Sequence, residues 1–260
     1  MITRIFKTLT IGAIALAATL NITSCDDVNV STRQLCPSYV VCYVELNSIV
    51  LWEVQNTTNC ILIHHGNDPV VCYALTSTGK EKEMYDSLCR KHNDTNYNKY
   101  RSFMKHIPYG SVAYNDCDFT SIEISSDTDF DEAHPAGTNL SDVVRFMSYS
   151  PYPFIMSGYK SYFYYDSAAQ SESFNNYMPF YIGGEAFRSE TAATCYPIDK
   201  MVKDLVPEDL ILVGHDGPGL IGMLCFEQLP SSAGEHTITV KIYTDNDKVL
   251  SNTIKMTFSQ

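Results

Sequence analysis

Most of the short motifs that announce a chemistry are missing from this 260-residue chain. It holds no HExxH and no CxxC, so the common zinc and dithiol signatures are absent. It holds no GxSxG elbow and no GxxxxGK[ST] loop, which removes the usual serine-hydrolase and nucleotide-cradle readings. Basic residues are scarce, 18 against 30 acids. Nucleic-acid phosphates demand Lys and Arg, so that class of partner is excluded, as is electrostatic binding to anionic headgroups. Tryptophan occurs once, at Trp52. There is no internal repeat, no low-complexity tract and no apolar stretch of the roughly 20 residues a membrane span requires.

What is present begins with a short apolar run. Arg4 and Lys7 precede "LTIGAIALAATL", Leu9 to Leu20. A basic start followed by an apolar segment of about 7–15 residues reads as a secretory signal rather than a span. The run leads into Ile22-Thr23-Ser24-Cys25. These residues resemble a bacterial lipobox: an apolar residue, two small ones, then the cysteine that accepts lipid. The resemblance implies cleavage before Cys25 and acylation of its thiol, with the lipid bilayer as partner. Two or more acyl chains give a stable anchor where one does not, since each buried CH₂ contributes about 0.8 kcal/mol. Asp26 and Asp27 follow, and acids in that place resemble the surface-export signals of Bacteroidetes lipoproteins. The implied address is the bacterial cell envelope, lipid-anchored at the outer membrane and exposed at the surface. Removing the signal leaves 16 bases against 30 acids, a net charge of −14.

The expected organisation is a signal at 1–24, a lipidated tether at 25–34 and a β-rich body at 35–260, as one domain or two closely packed. Strands are expected from the β-branched and aromatic run after Tyr39, with a turn at Asn47-Ser48, and from "CILIHH" and "VVCYAL" on either side of the turn-forming "GNDP". Between about 80 and 106 the chain becomes charged and lacks internal glycine or proline. Apolar spacings there predict two short helices, Lys82–Lys91 and Tyr97–His106. "FTSIEIS" (Phe119–Ser125) alternates, placing Phe119 opposite Ile122 and Ile124. "GYKSYFYYD" reads as another strand, and the glycine-rich Gly214–Gly222 as a turn between apolar runs rather than a phosphate cradle.

The clearest element is the terminal pair His236–Thr244 and Leu250–Phe258, joined by "DNDK". Ile238, Val240 and Ile242 share one face. This pair resembles the last two strands of immunoglobulin-like domains of bacterial surface proteins. "FTSIEISSDTDFDEAHPAG" also resembles uncharacterised lipoproteins of Bacteroidetes. The fold class expected is mainly β, an immunoglobulin-like or β-sandwich architecture with a small helical insertion.

Eight cysteines remain beyond Cys25. In an exported chain they permit a disulfide framework, and at least two bridges are expected. Cys42, Cys72 and Cys225 lie within apolar runs and suit buried thiols instead. Asp127, Asp129 and Asp131 alternate as the first acids of a calcium loop do. Glu132 and Thr138 then stand where an EF-hand has glycine and glutamate, so only a looser calcium loop is left open. His64 and His65 are adjacent, and on a strand they face opposite ways. His134, His215 and Asp216 stay open as partners, and Cys195 as a thiol nucleophile. The 18 tyrosines include Tyr162 and Tyr164, which share a strand face and are the candidate ligand-contact pair. No cofactor is implied. The function expected is a non-catalytic envelope module binding a glycan or a surface protein. The alternative is an envelope hydrolase with a His/Asp/Glu site assembled in space.

Overall fold

A computed structural model describes residues 31–54, 59–104, 113–160, 170–181, 194–214 and 219–259. Cys25, Tyr162, Tyr164, His215 and Asp216 lie outside these residues.

The protein is mainly β, with a small helical insertion. The alternating C-terminal pair forms β12 (Gly234–Thr244) and β13 (Val249–Phe258), antiparallel along their length. Ile238, Val240 and Ile242 are fully buried on one face. Asp247 adopts φ +63° in the connecting turn, a left-handed position that Asp tolerates better than most residues. Thr244 ties the turn shut, accepting a hydrogen bond from the Lys248 amide on its hydroxyl at 3.1 Å.

β8 (Phe119–Ser126) completes a three-stranded sheet in the order β13-β12-β8. Its register slips at the start: Tyr243 faces Ser121 while Thr244 faces Phe119. The extra residue, Thr120, is exposed. This bulge rotates Phe119 onto the same buried face as Ile122 and Ile124, so strict alternation fails there.

Facing this sheet is a five-stranded one built from β3 (Ile49–Glu53), β4 (Cys60–His65), β9 (Val144–Ser150), β10 (Tyr196–Met201) and β11 (Leu220–Phe226). Its order is β10-β9-β11-β4-β3, antiparallel throughout. Ile61, Ile63, Phe146 and Leu224 from this sheet meet Ile122, Val240, Ile242 and Phe258 from the other, and that apolar layer is the sandwich core. Gly222 has no side chain because a Cβ there would lie 2.7 Å from the Phe146 ring. Gly217, Gly219 and Gly222 do carry GxGxxG spacing, but Gly222 lies within the strand β11, where a phosphate cradle has the N-terminus of a helix.

The second face of the five-stranded sheet is also apolar. Leu62, Met147, Tyr149 and Met223 are buried there with Phe174 of α3 (Glu172–Tyr181). An immunoglobulin sandwich keeps its outward positions polar, so the architecture is described as a β-sandwich. Cys60 and Cys225 face each other across β4 and β11 and form a disulfide, which corrects the expectation of a buried thiol at Cys225. Cys36, Cys42, Cys72, Cys89 and Cys117 are thiols.

A second core lies beside the sandwich. α1 (Gly79–Lys91) buries Tyr85, Leu88 and Cys89 against Tyr39, Val40 and Tyr43. The short α2 (Tyr152–Met156) adds Phe154 and Ile155. β2 (Cys42–Val44) runs between β5 (Cys72–Ala74) and β7 (Ala113–Asn115). The expected second helix is a strand: β6 (Lys99–Met104) pairs with β1 (Ser31–Cys36). Residues 31–34, expected in the tether, therefore belong to a strand. The segment expected as a strand from Gly158 opens with a left-handed turn at Gly158 and Tyr159; the part from 161 to 166 lies outside the described residues.

Candidate functional site

Three connections meet at one edge of the sandwich. They are the β2–β3 bend, the end of β4, and the loop Gly66–Val71 that leads to β5. The Asn47-Ser48 bend is drawn to the loop by the amide of Gly66, which donates to the Ser48 carbonyl at 2.9 Å. Only glycine permits this approach, since a Cβ on Gly66 would lie 1.8 Å from Ser48 Oγ. The Ser48 hydroxyl donates to Asp68, and the Glu45 amide donates to the Val71 carbonyl at 2.9 Å. Gly219 accepts from the His65 amide at 3.0 Å.

These contacts enclose a pocket of about 240 Å³ lined by Glu45, Ser48, Trp52, His64, His65 and Asp68 among others. Trp52 sits on β3, an edge strand of the five-stranded sheet, and 53 % of it is exposed. Its ring leans on His64 with centroids 4.1 Å apart and planes at 32°. Val50 faces His64 and Trp52 faces Leu62, so the two rings are diagonal neighbours on one face. Val70, on the loop across the pocket, is 61 % exposed. The mouth is thus apolar and aromatic, and its rim carries carboxylates, amides and a hydroxyl.

The two histidines do face opposite ways. His65 turns inward and donates from Nε2 to Oδ1 of Asn115 at 2.6 Å; the Asn115 amide donates in turn to the Val213 carbonyl at 3.3 Å. His64 Nε2 is buried under the indole and has no hydrogen-bond partner among the described residues. Burial pushes both imidazoles below the usual histidine range. The neighbouring His65 adds to this for His64, while Asn115 and Asp116 offset part of it for His65. Both rings are neutral at neutral pH. Glu45 accepts from the Tyr73 hydroxyl at 3.5 Å. Among the described residues, His65 bonds Asn115 and Asp68 bonds Ser48, and neither bonds the other.

The three aspartates of the acidic loop accept hydrogen bonds from backbone amides. Asp127 accepts from the Thr237 amide at 2.7 Å, Asp129 from the Ala136 amide at 2.8 Å, and Asp131 from the Ala133 and His134 amides at 2.8 and 2.9 Å. Asp129 and Asp131 satisfy backbone donors of the loop itself, and Asp127 ties it to β12. Among the described residues no group of three His, Cys, Asp or Glu is placed to hold a metal. His134 is spent differently from the open role expected of it. Its two ring nitrogens donate to Asp131 at 2.7 Å and Asp142 at 2.8 Å, closing the loop as a clasp.

A second polar row lies in the second core. The Tyr43 hydroxyl meets His92 Nδ1 at 3.2 Å, and His92 Nε2 donates to Asp118 at 2.9 Å. Lys91 reaches Asp118 at 2.7 Å and Asp245 at 2.6 Å. Burial favours the neutral acid, yet His92 and Lys91 outweigh it and hold Asp118 down to about 2. Tyr43 and His92 are sealed from solvent, so this row braces the core instead of meeting a substrate. Cys195, the candidate thiol nucleophile, is buried against the Tyr114 hydroxyl at 3.5 Å.

No protein-family model matches the chain, and neither a curated protein nor a solved structure matches it. The site therefore rests on its geometry.

Trp52 was not singled out by sequence reasoning as a contact residue. Its signal was available: a lone indole next to Glu53 on a strand ending at a turn, opposite a histidine pair followed by "GNDP". What the residues alone do not disclose is that β3 is an edge strand, which is why the ring stays half exposed.

Proposed function

We propose that this protein is a lipid-anchored module of the bacterial cell envelope that binds a glycan at the Trp52 pocket without transforming it. The observation that carries the reading is the half-exposed indole standing beside Val70 over a rim of Glu45, Ser48 and Asp68. An aromatic face covers the C–H side of a sugar ring, and a few fixed polar groups bind its hydroxyls. At about 240 Å³ the pocket is smaller than the roughly 300–1,000 Å³ that encloses drug-sized ligands, so it suits one terminal sugar unit. Neutral imidazoles at its base favour an uncharged ligand over an anionic one.

The anchor is acylated Cys25, and the address is the outer membrane, at the cell surface. The Cys60–Cys225 disulfide supports an oxidising compartment. The immunoglobulin-like likeness of the terminal hairpin stays part of this reading.

The hydrolase alternative draws on the same place, because His64, His65, Glu45 and Asp68 all line the pocket. It ranks second because Glu45, His65 and Asp68 bond other residues and not one another.

The test is thermal unfolding against a panel of polysaccharides and oligosaccharides. One class should raise the midpoint of the native protein and leave Trp52→Ala unmoved. Silence across the panel refutes the glycan reading and moves the pocket to a protein partner. Cleavage of a panel member restores the hydrolase.

A further inference from the structure

We propose that Cys42 and Cys72 form a second disulfide in the exported protein, stapling the outer wall of the Trp52 pocket to the sheet beside it. β2 and β5 are antiparallel, with Cys42 opposite Ala74 and Val44 opposite Cys72. The two cysteines are therefore diagonal neighbours on the same face. They pack in one small apolar cluster with Val44, Ala74 and Ala113. Diagonal positions in a ladder sit about 7–8 Å apart, and a disulfide needs Cα atoms within about 7 Å. Burial pushes the Cys42 thiol up and the neighbouring Cys72 thiol pushes it further, as expected of two sulfurs packed side by side in this cluster.

The chemistry is thiol–disulfide exchange with an oxidised dithiol donor of the envelope. Cys72 is partly exposed and is the entry point. Its thiolate attacks the donor's disulfide, forming a mixed disulfide and releasing one donor thiolate. The Cys42 thiol loses its proton and attacks Cys72 Sγ, forming the Cys42–Cys72 bond and releasing the second donor thiolate. Both protein thiols are oxidised, two protons leave, and the donor departs as a reduced dithiol. Burial pushes the Cys42 thiol above its usual range.

The consequence concerns the pocket. Cys72 follows directly on Val70 and Val71, at the end of the loop that forms the pocket's outer wall. A bond to Cys42 fixes that end to the central strand β2. The cross-link stands whatever the pocket binds; only this consequence rests on the ligand reading.

The experiment is peptide mapping without reduction. The protein is expressed with its own signal, denatured in iodoacetamide and digested. The expected result is a linked pair carrying Cys42 and Cys72 beside a linked pair carrying Cys60 and Cys225, with Cys36, Cys89 and Cys117 alkylated. In Cys72→Ser, Cys42 should become alkylated while Cys60–Cys225 stays linked. Alkylation of both Cys42 and Cys72 in the native chain, or a link from either to another cysteine, overturns the proposal. Reduction of both pairs overturns it together with the export reading. No ligand enters this assay, so its failure is distinct from failure of the glycan reading.

Discussion

Asp118→Asn is the substitution whose cost follows most directly from the fold. Asp118 accepts from His92 at 2.9 and 3.1 Å, from the Leu212 amide at 3.1 Å, and pairs with Lys91 at 2.7 Å. Its carboxyl falls from 3.8 to about 2 on folding. A pKa unit is about 1.4 kcal/mol, so the ionised carboxylate contributes about 2 kcal/mol at neutral pH. A depressed acid stabilises above its unfolded pKa, and that contribution is lost as pH falls from about 3.8 toward about 2. The amide keeps an acceptor for His92 and Leu212, and Lys91 keeps Asp245 at 2.6 Å. The loss is therefore held to about 2–3 kcal/mol, below the 3–5 typical of an orphaned buried charge. Urea unfolding at pH 7 and pH 3 measures it. The gap between native and variant should narrow by about 1 kcal/mol on acidification. A gap of equal size at both pH values refutes the ionic account of this row.

Three further outcomes follow from other parts of the molecule. Gly66→Ala places a methyl on Ser48 Oγ and breaks its bond to Asp68; glycan affinity should fall at least tenfold with the fold retained, as read by calorimetry and circular dichroism. His134 is opposed by burial but raised by Asp131 and Asp142, so its clasp is at full strength below about pH 6.5 and weakens as pH rises through the higher folded value. Amide exchange in residues 127–142, corrected for intrinsic rate, should show protection that declines with rising pH in the native protein and stays flat in His134→Gln. Cys25→Ala should leave the membrane fraction or remain an uncleaved precursor, and normal lipid labelling of that variant contradicts the anchor.

Local patterning carried the sandwich far. Ile238, Val240 and Ile242 repeat every second residue and are buried as that period demands. The Asn47-Ser48 bend separates β2 from β3 as read. Failures occur where distant chain decides. Tyr100, Phe103 and Met104 have helical spacing, yet Lys99–Met104 is a strand because Ser31–Cys36 pairs with it from far back in the chain. Short apolar runs fit both periods, and only the partner arbitrates. Phe119 turned inward because of a bulge opposite Thr244, which no spacing within Phe119–Ser125 reveals. The Trp52 pocket has the same origin: its residues come from Val44 to Gly219, brought together by pairing order.

Trp52 is the only tryptophan, so indole fluorescence reports on the pocket alone. The most direct test is a fluorescence titration of the native, lipid-free chain with the glycan class selected by the thermal panel. The account predicts a saturable change in intensity and emission wavelength, with affinity lowered at least tenfold by Gly66→Ala and unaltered by Asp118→Asn at neutral pH. Saturable binding with no change in indole emission would contradict it, because the ligand would then be held somewhere other than against Trp52.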